Sequence, residues 1–307
     1  MPQMDRNGVK KVLILGNGFD LDLGLKTRYS DFAKSTEWNE LYKIMEWSDN
    51  GLGQHLFKEA KKEYWFDIEE CLDAYVKNKE KNEDLSLAYE DKFFLTSLKE
   101  KLASYLDSSV VWEDIKEDSL AGQLMNIDHQ FHSFDAVYSF NYTDYDITYW
   151  YDSKYRPFFD KKYVHNYGRN LIIGIGEDGC SSKEYSFLKK VNQDLASTNL
   201  LSDLKNADEV VFFGHSINKF DMFYFKRFFD ICSQDINRTP KRCLTFITKD
   251  EDSIRTIKEN IAKTGIVMTE LIQTNHVEFI MTDAYYLDFF RISEKEKIEK
   301  FLKSLQQ

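Results

Sequence analysis

The chain has 307 residues, of which 42% are hydrophobic and 15% aromatic, with only three prolines. That suits one large folded domain, or one domain carrying an insertion, and excludes a linker-rich or low-complexity chain. The formal net charge of −11 disfavours nucleic acid as a partner, because non-specific binding relies on a basic face that displaces counterions.

The N-terminal stretch Met1 to Lys11 is polar and lacks the apolar centre of a signal peptide. No apolar run approaches the ~20 residues that span a bilayer, so no membrane is expected. Cys71, Cys180, Cys232 and Cys243 form no C-x-x-C pair and read as reduced cysteines of a cytoplasmic protein.

The first predicted element is a strand over Lys11–Leu15, which Gly16-Asn17-Gly18 breaks abruptly, with an acid following at Asp20. A buried strand ending in Gly-x-Gly brings backbone N–H groups close to a nucleotide. The full G-x-G-x-x-G fingerprint is absent, because Leu21 stands at the third glycine position. A helix start or short turn is expected over Asp20 to Leu25, and a loop over Lys26 to Ser30. From Asp31 to Gln130 apolar residues fall at helical spacing. Ile68, Cys71, Leu72 and Tyr75 share one face, as do Phe94, Leu98, Leu102 and Tyr105. This stretch reads as an all-helical insertion (31–130) in an α/β nucleotide-binding domain (1–30 and 131–307).

Strands are then expected at Asp135–Phe140, Tyr163–His165, Leu171–Gly174, Glu209–Phe213, Arg242–Ile247 and His276–Ile280. Helices are expected over Leu188–Asn206, Phe220–Asp235, Glu251–Lys263 and Ser293–Leu305. This alternation predicts a doubly wound α/β fold with a mainly parallel sheet.

Four expected strand ends carry polar residues: Gly16 to Asp20; Asn141, Thr143 and Asp144; His165 with Asn166; and Gly214-His215-Ser216 with Asp221. Ligands of open α/β sheets sit beyond the carboxyl ends of the strands. Each group also has a structural reading. Asn141 suits a helix cap, His165 a satisfied structural histidine, and His215 and Ser216 a turn into a helix. The six histidines show no H-E-x-x-H spacing and no metal is expected. No G-x-S-x-G elbow accompanies Ser216.

The run Ile14 to Phe32, which contains Gly-Asn-Gly-Phe-Asp and Gly-Leu-Lys-Thr-Arg-Tyr, resembles the bacterial AbiH family of phage abortive-infection proteins. Phe140 to Thr143, Tyr163 to His165, Gly214 to Asp221 and Trp65 to Glu69 are similar to that family's other blocks. The family in turn looks like a distant branch of the sirtuin-type fold, whose defence members cleave NAD. The resemblance implies an anti-phage effector with a Rossmann-like, sirtuin-like site. Gly16, Asn17, Gly18, Phe19, Asp20, Thr27 and Tyr29 would bind NAD, as would Asn141, Thr143, Gly214, His215, Ser216 and Asp221. His165, Asn141 and Asp20 would be catalytic.

In that reading an unperturbed His165 accepts a proton near neutral pH, Asn141 fixes the ribose, and Asp20 binds a ribose hydroxyl or polarises water. The amides of Gly16 to Gly18 receive a phosphate, and Trp65 and Asp67 cap the pocket. The resemblance leaves room for a phage-derived or protein trigger and for a homo-oligomer. Two other readings stand beside it. One is a nucleotide sensor without turnover. The other is a metal-assisted phosphohydrolase or nuclease using Asp20, Asp144, Asp221 and His215.

Overall fold

A computed structural model describes residues 11–45, 51–62, 66–110, 115–144, 161–193, 199–283 and 292–306. Its centre is a six-stranded, all-parallel sheet built from β1 (Lys11–Leu15), β2 (Ala136–Ser139), β3 (Lys161–Tyr163), β4 (Glu209–Phe213), β5 (Cys243–Thr248) and β6 (His276–Met281). The strand order is β3-β2-β1-β4-β5-β6, that of a doubly wound dinucleotide-binding sheet. Its topological switch point lies between β1 and β4.

The central strands β1, β2 and β4 are buried on both faces, as parallel strands under helices must be. Alternate side chains point to opposite sides. Val12, Ile14, Val210 and Phe212 join one core layer with the aromatic face of α9 (Met222–Gln234), whose Phe225, Phe228 and Phe229 are fully buried. Leu13, Leu15, Val211 and Phe213 join another with α1 (Asn17–Asp22), α7 (Leu120–Phe131) and α12 (Ile292–Ser304). The first layer also takes α8 (Leu200–Asn206), α10 (Glu251–Ala262) and α11 (Met268–Thr274).

Between β1 and β2 the described residues form helices only: α1, α2 (Tyr29–Phe32), α3 (Thr36–Met45), α4 (Gly51–Ala60), α5 (Ile68–Lys81), α6 (Ala88–Ser109) and α7. Ile68, Leu72 and Tyr75 of α5 and Phe94, Leu98, Leu102 and Tyr105 of α6 all enter one apolar cluster, while Cys71 is half-buried at its margin. Asp91 of α6 lies inside that cluster and accepts from Tyr75 Oη (2.8 Å), Tyr185 Oη (2.7 Å) and the Leu52 amide (2.9 Å). Three donors satisfy a carboxylate that could not otherwise be buried.

The structure departs from expectation in five places, one being the strand expected at Tyr163–His165, which is β3 two residues earlier and leaves His165 in the loop behind it. The helix after β1 begins at Asn17, directly behind the strand, and Tyr29 to Ser30 already belong to α2 rather than to a loop. Leu171–Gly174 is not a strand. Leu171, Ile173 and Ile175 pack into the helical cluster, and only Ile175 makes a single parallel bridge, to Lys189. A short apolar run fills a space between helices as readily as it forms a strand, and periodicity does not separate the two. The helix expected over Leu188–Asn206 reduces to α8. Residues 186–188 and 190–192 are short 3₁₀ turns, and the Lys190 amide donates to the Ile175 carbonyl, outside any α-helical ladder. Helix α11 carries no strong signal in the sequence. Trp65 lies outside the described residues. Among the described residues no helix is long and apolar enough to cross a membrane.

Candidate functional site

The strand register sets the geometry of the site. Leu15 pairs with Ser139 and with Phe213, Ser139 with Tyr163, and Phe213 with Ile247. These residues form one row at the carboxyl edge of the sheet. The residues just beyond it, Gly16, Phe140, Val164 and Gly214, therefore stand at one rim. A cleft of about 2090 Å³ opens there, between the sheet and the helices that follow β1. Its lining includes Gly16, Asn17, Gly18, Asp20, Thr27, Tyr29, Asn141, Thr143, His165, Gly214, His215, Ser216 and Asp221. Of the residues singled out for nucleotide binding, Phe19 is not in the lining, and Asp144 of the metal reading also lies outside it, within 3.3 Å of Tyr163 Oη. Phe19 is fully buried, edge-on to the Phe213 ring at 5.1 Å.

The glycines act differently from expectation. A Cβ on Gly18 would lie 2.6 Å from the Gly214 Cα, and Gly214 itself holds φ +67° with the Phe19 nitrogen 2.2 Å from a would-be Cβ. The loops after β1 and β4 thus touch through bare backbone. The Gly16 amide donates to the Phe213 carbonyl and the Gly18 amide to the Gly214 carbonyl, each at 2.9 Å. Those two amides are committed inside the protein, which corrects the expectation that they receive a phosphate. The glycines close the switch point and form the floor of the cleft.

Asp20 is also committed. It is fully buried on α1 and accepts from Asn141 Nδ2 (2.9 Å) at one oxygen and from Thr143 Oγ1 (2.5 Å) at the other. Asn141 Nδ2 also donates to the Gly16 carbonyl at 3.1 Å. The carboxylate thus clips the loop after β2 onto the loop after β1. Thr27 Oγ1 donates to Asn17 Oδ1 (2.6 Å) at the exposed lip, where Ser216 also lies.

Two histidines and one aspartate occupy the deeper wall. His165 Nε2 lies 3.0 Å from Asp221 Oδ1, and His215 Nε2 lies 3.7 Å from Asp221 Oδ2. The Phe140 ring sits between the imidazoles, edge-on to both, at 5.2 and 4.6 Å. The Ile217 amide donates to His215 Nδ1 (2.9 Å), which places the proton of neutral His215 on Nε2, toward Asp221. Ile217 is a fully buried β-branched residue at φ +50°. Backbone strain of that kind costs of order 1–3 kcal/mol and collects at functional sites. Asp221 stands at the N-cap of α9 but makes no cap bond with its side chain. Asn218 Oδ1 accepts from the Phe220 and Asp221 amides instead, leaving the Asp221 carboxylate to the histidines.

Behind His165 and Asp221 lies Lys190, fully buried. Its Nζ is 2.7 Å from Asp221 Oδ1 and 2.8 Å from Glu69 Oε1 on α5. Tyr142 Oη reaches the Ile172 carbonyl (3.1 Å) and Glu69 Oε1 (3.4 Å), and Tyr29 Oη reaches Tyr142 Oη (3.3 Å). Burial pushes the Glu69 carboxyl up to about 8 despite the Lys190 ammonium. Burial would also raise Asp221, but the Lys190 ammonium and the two imidazoles hold it well below the usual range. Burial lowers His165, and Lys190 lowers it further against the pull of Asp221. Burial lowers His215 to about 4. The expectation of an unperturbed His165 is therefore corrected: burial and the Lys190 ammonium lower it, against the Asp221 carboxylate and the Phe140 carbonyl that face its ring.

Lys190 went unnoticed in the sequence, because Lys189-Lys190 looks like a solvated pair. Glu69 appeared only inside a family block. Tyr142 lies between Asn141 and Thr143, a position that could have flagged it. For the metal reading, no group of three His, Cys, Asp or Glu side chains among the described residues is placed to hold an ion.

No curated protein and no solved structure matches the chain. The family model described as "Bacteriophage abortive infection AbiH" matches residues 12–239, which cover β1 through the end of α9 and every residue of the cleft wall described above. The chain belongs to the AbiH family of bacteriophage abortive infection proteins.

Proposed function

We propose that this protein is an abortive-infection effector whose cleft binds NAD and cleaves its nicotinamide–ribose bond. The observation that carries the reading is the convergence of Asn141, His165, His215 and Asp221 at one wall of a cleft over the β1–β4 switch point. Dinucleotides bind at that place in sheets of this order. The cleft is also larger than the ~300–1,000 Å³ of ordinary ligand pockets, which leaves room for both halves of a dinucleotide.

In this reading the C–N glycosidic bond breaks, nicotinamide leaves with the bonding pair, and a water oxygen bonds to the ribose carbon. The proton of that water passes to the Asp221–His165 pair. A buried imidazole that is neutral at pH 7 is in the right form to take it. Asn141 supplies an amide that holds a ribose hydroxyl once it exchanges partners with Asp20. Thr143 and Asp20 position that amide, and the loop bearing His215 and Ser216 faces the other end of the ligand.

The test is NAD consumption in phage-infected cells carrying the wild type or His165→Ala, read by chromatography of nicotinamide and ADP-ribose. The wild type depletes NAD after infection, and the variant does not. Unchanged NAD in both would end the hydrolase reading.

A nucleotide sensor without turnover is the second reading. One observation favours it: Asp20, Asn141, His165 and Asp221 are bonded to one another or to Lys190, so the wall is closed upon itself. Intact nucleotide retained by the purified protein, with no products, would select this reading.

A further inference from the structure

We propose that Lys190 is the positioning residue of this site: its ammonium orients Asp221 against His165 and ties both to helix α5 through Glu69. The inference rests on the reading of His165 and Asp221 as the chemical centre and names a residue outside the cleft lining that governs them.

The geometry is specific. An ammonium has three N–H donors and no acceptor. Lys190 Nζ has two acceptors, Asp221 Oδ1 at 2.7 Å and Glu69 Oε1 at 2.8 Å, and His165 Nε2 as a third polar neighbour at 3.4 Å. Each comes from a different part of the chain: the loop after β4, helix α5, and the loop after β3. Glu69 is 121 residues away in sequence, so only the tertiary fold makes the cluster. The backbone supports the inward turn, because the Lys190 amide is held by the Ile175 carbonyl at 3.0 Å.

The groups facing the cluster are Asp67 and Glu69 from α5, Tyr29 from α2, Tyr142 from the loop after β2, and Tyr224 from α9. His165, His215 and Asp221 complete it. One ammonium cannot neutralise two buried carboxylates, and uncompensated buried charge is costly. The arrangement resolves this with Lys190 charged, Asp221 ionised, Glu69 protonated and both histidines neutral, a net charge of zero. Burial alone would lower a lysine, yet Asp221 and Glu69 raise Lys190. A packing lysine would stabilise the fold. A positioning lysine also lowers the proton affinity of the His165 ring.

The test reads the imidazole directly, without nucleotide, so its result is independent of whether NAD is the substrate. The full chain is labelled with ¹⁵N-histidine and titrated by NMR, with His165 assigned from the signal lost in His165→Gln. In the wild type the His165 ring is neutral at pH 7. In Lys190→Met the Asp221 charge acts on His165 without the opposing ammonium, and the midpoint rises by about one pH unit or more. Glu69→Gln leaves the ring neutral at pH 7, because Glu69 already carries its proton. A folded Lys190→Met with an unmoved midpoint overturns the proposal. Should that variant fail to fold, the wild type and Glu69→Gln still decide: a charged His165 at pH 7 in either one overturns it.

Discussion

Gly18 and Gly214 meet backbone to backbone, and that contact makes a direct prediction. Gly18→Ala forces a methyl group to within 2.6 Å of the Gly214 Cα, where there is no flexible side chain to yield. Overpacking of this kind costs about 1–3 kcal/mol, seen as a lower urea midpoint with an unchanged slope. Unaltered stability would mean that the two loops are not in contact. Glu69 predicts a pH effect at the same scale. Its carboxyl titrates near 4.5 when unfolded and near 8 in the fold, so the folded protein holds an extra proton between those values. Stability from this group is full below 4.5 and is lost as pH rises toward 8. His215 works in the opposite sense, with 6.5 unfolded and about 4 folded, and its contribution is lost as pH falls from 6.5 to 4. Above pH 6.5 the Glu69 effect therefore stands apart from it. Unfolding free energies from urea titrations should be lower at pH 8 than at pH 6.5 by about 2 kcal/mol in the wild type, and Glu69→Gln should flatten the difference.

Helix α5 links the helical region to the histidines. Asp67 caps it, accepting from the Glu69 amide at 2.9 Å and the Glu70 amide at 3.1 Å. Asp67→Ala should cost about 1 kcal/mol of stability in thermal or urea unfolding, and no loss would show that the cap is dispensable. One turn further along, Lys219 from the loop after β4 bridges Glu70 at 2.8 Å and Asp73 at 2.7 Å. The sequence exposed much at this scale. Lys11–Leu15, Glu209–Phe213 and His276–Ile280 read as strands because β-type residues cluster there. Helices α5, α6, α9 and α10 read from apolar spacing. What stayed hidden was set by distant partners. Leu171 to Gly174 lost its strand to packing among helices, and the chain around Lys190 left the helical path to reach Glu69 and Asp221.

At the scale of the whole molecule, the all-parallel sheet in the order β3-β2-β1-β4-β5-β6 delivers the loops after its first four strands to one rim. That convergence was legible, because each of those loops carries polar residues where a strand stops: Asp20, Asn141, His165 and His215. The inner state of the wall was not legible. Nothing in the local sequence says that Asp20 clips Asn141 and Thr143, or that a buried lysine lies behind Asp221. A wall bonded to itself would have to exchange partners to take the proposed ligand. The most direct measurement is a crystal structure of the protein soaked with NAD at saturating concentration. The account predicts a dinucleotide in the cleft, with a ribose hydroxyl on Asn141 and the nicotinamide end against the wall of His165, His215 and Asp221. Density for the dinucleotide elsewhere, or none in the cleft at saturation, would contradict it.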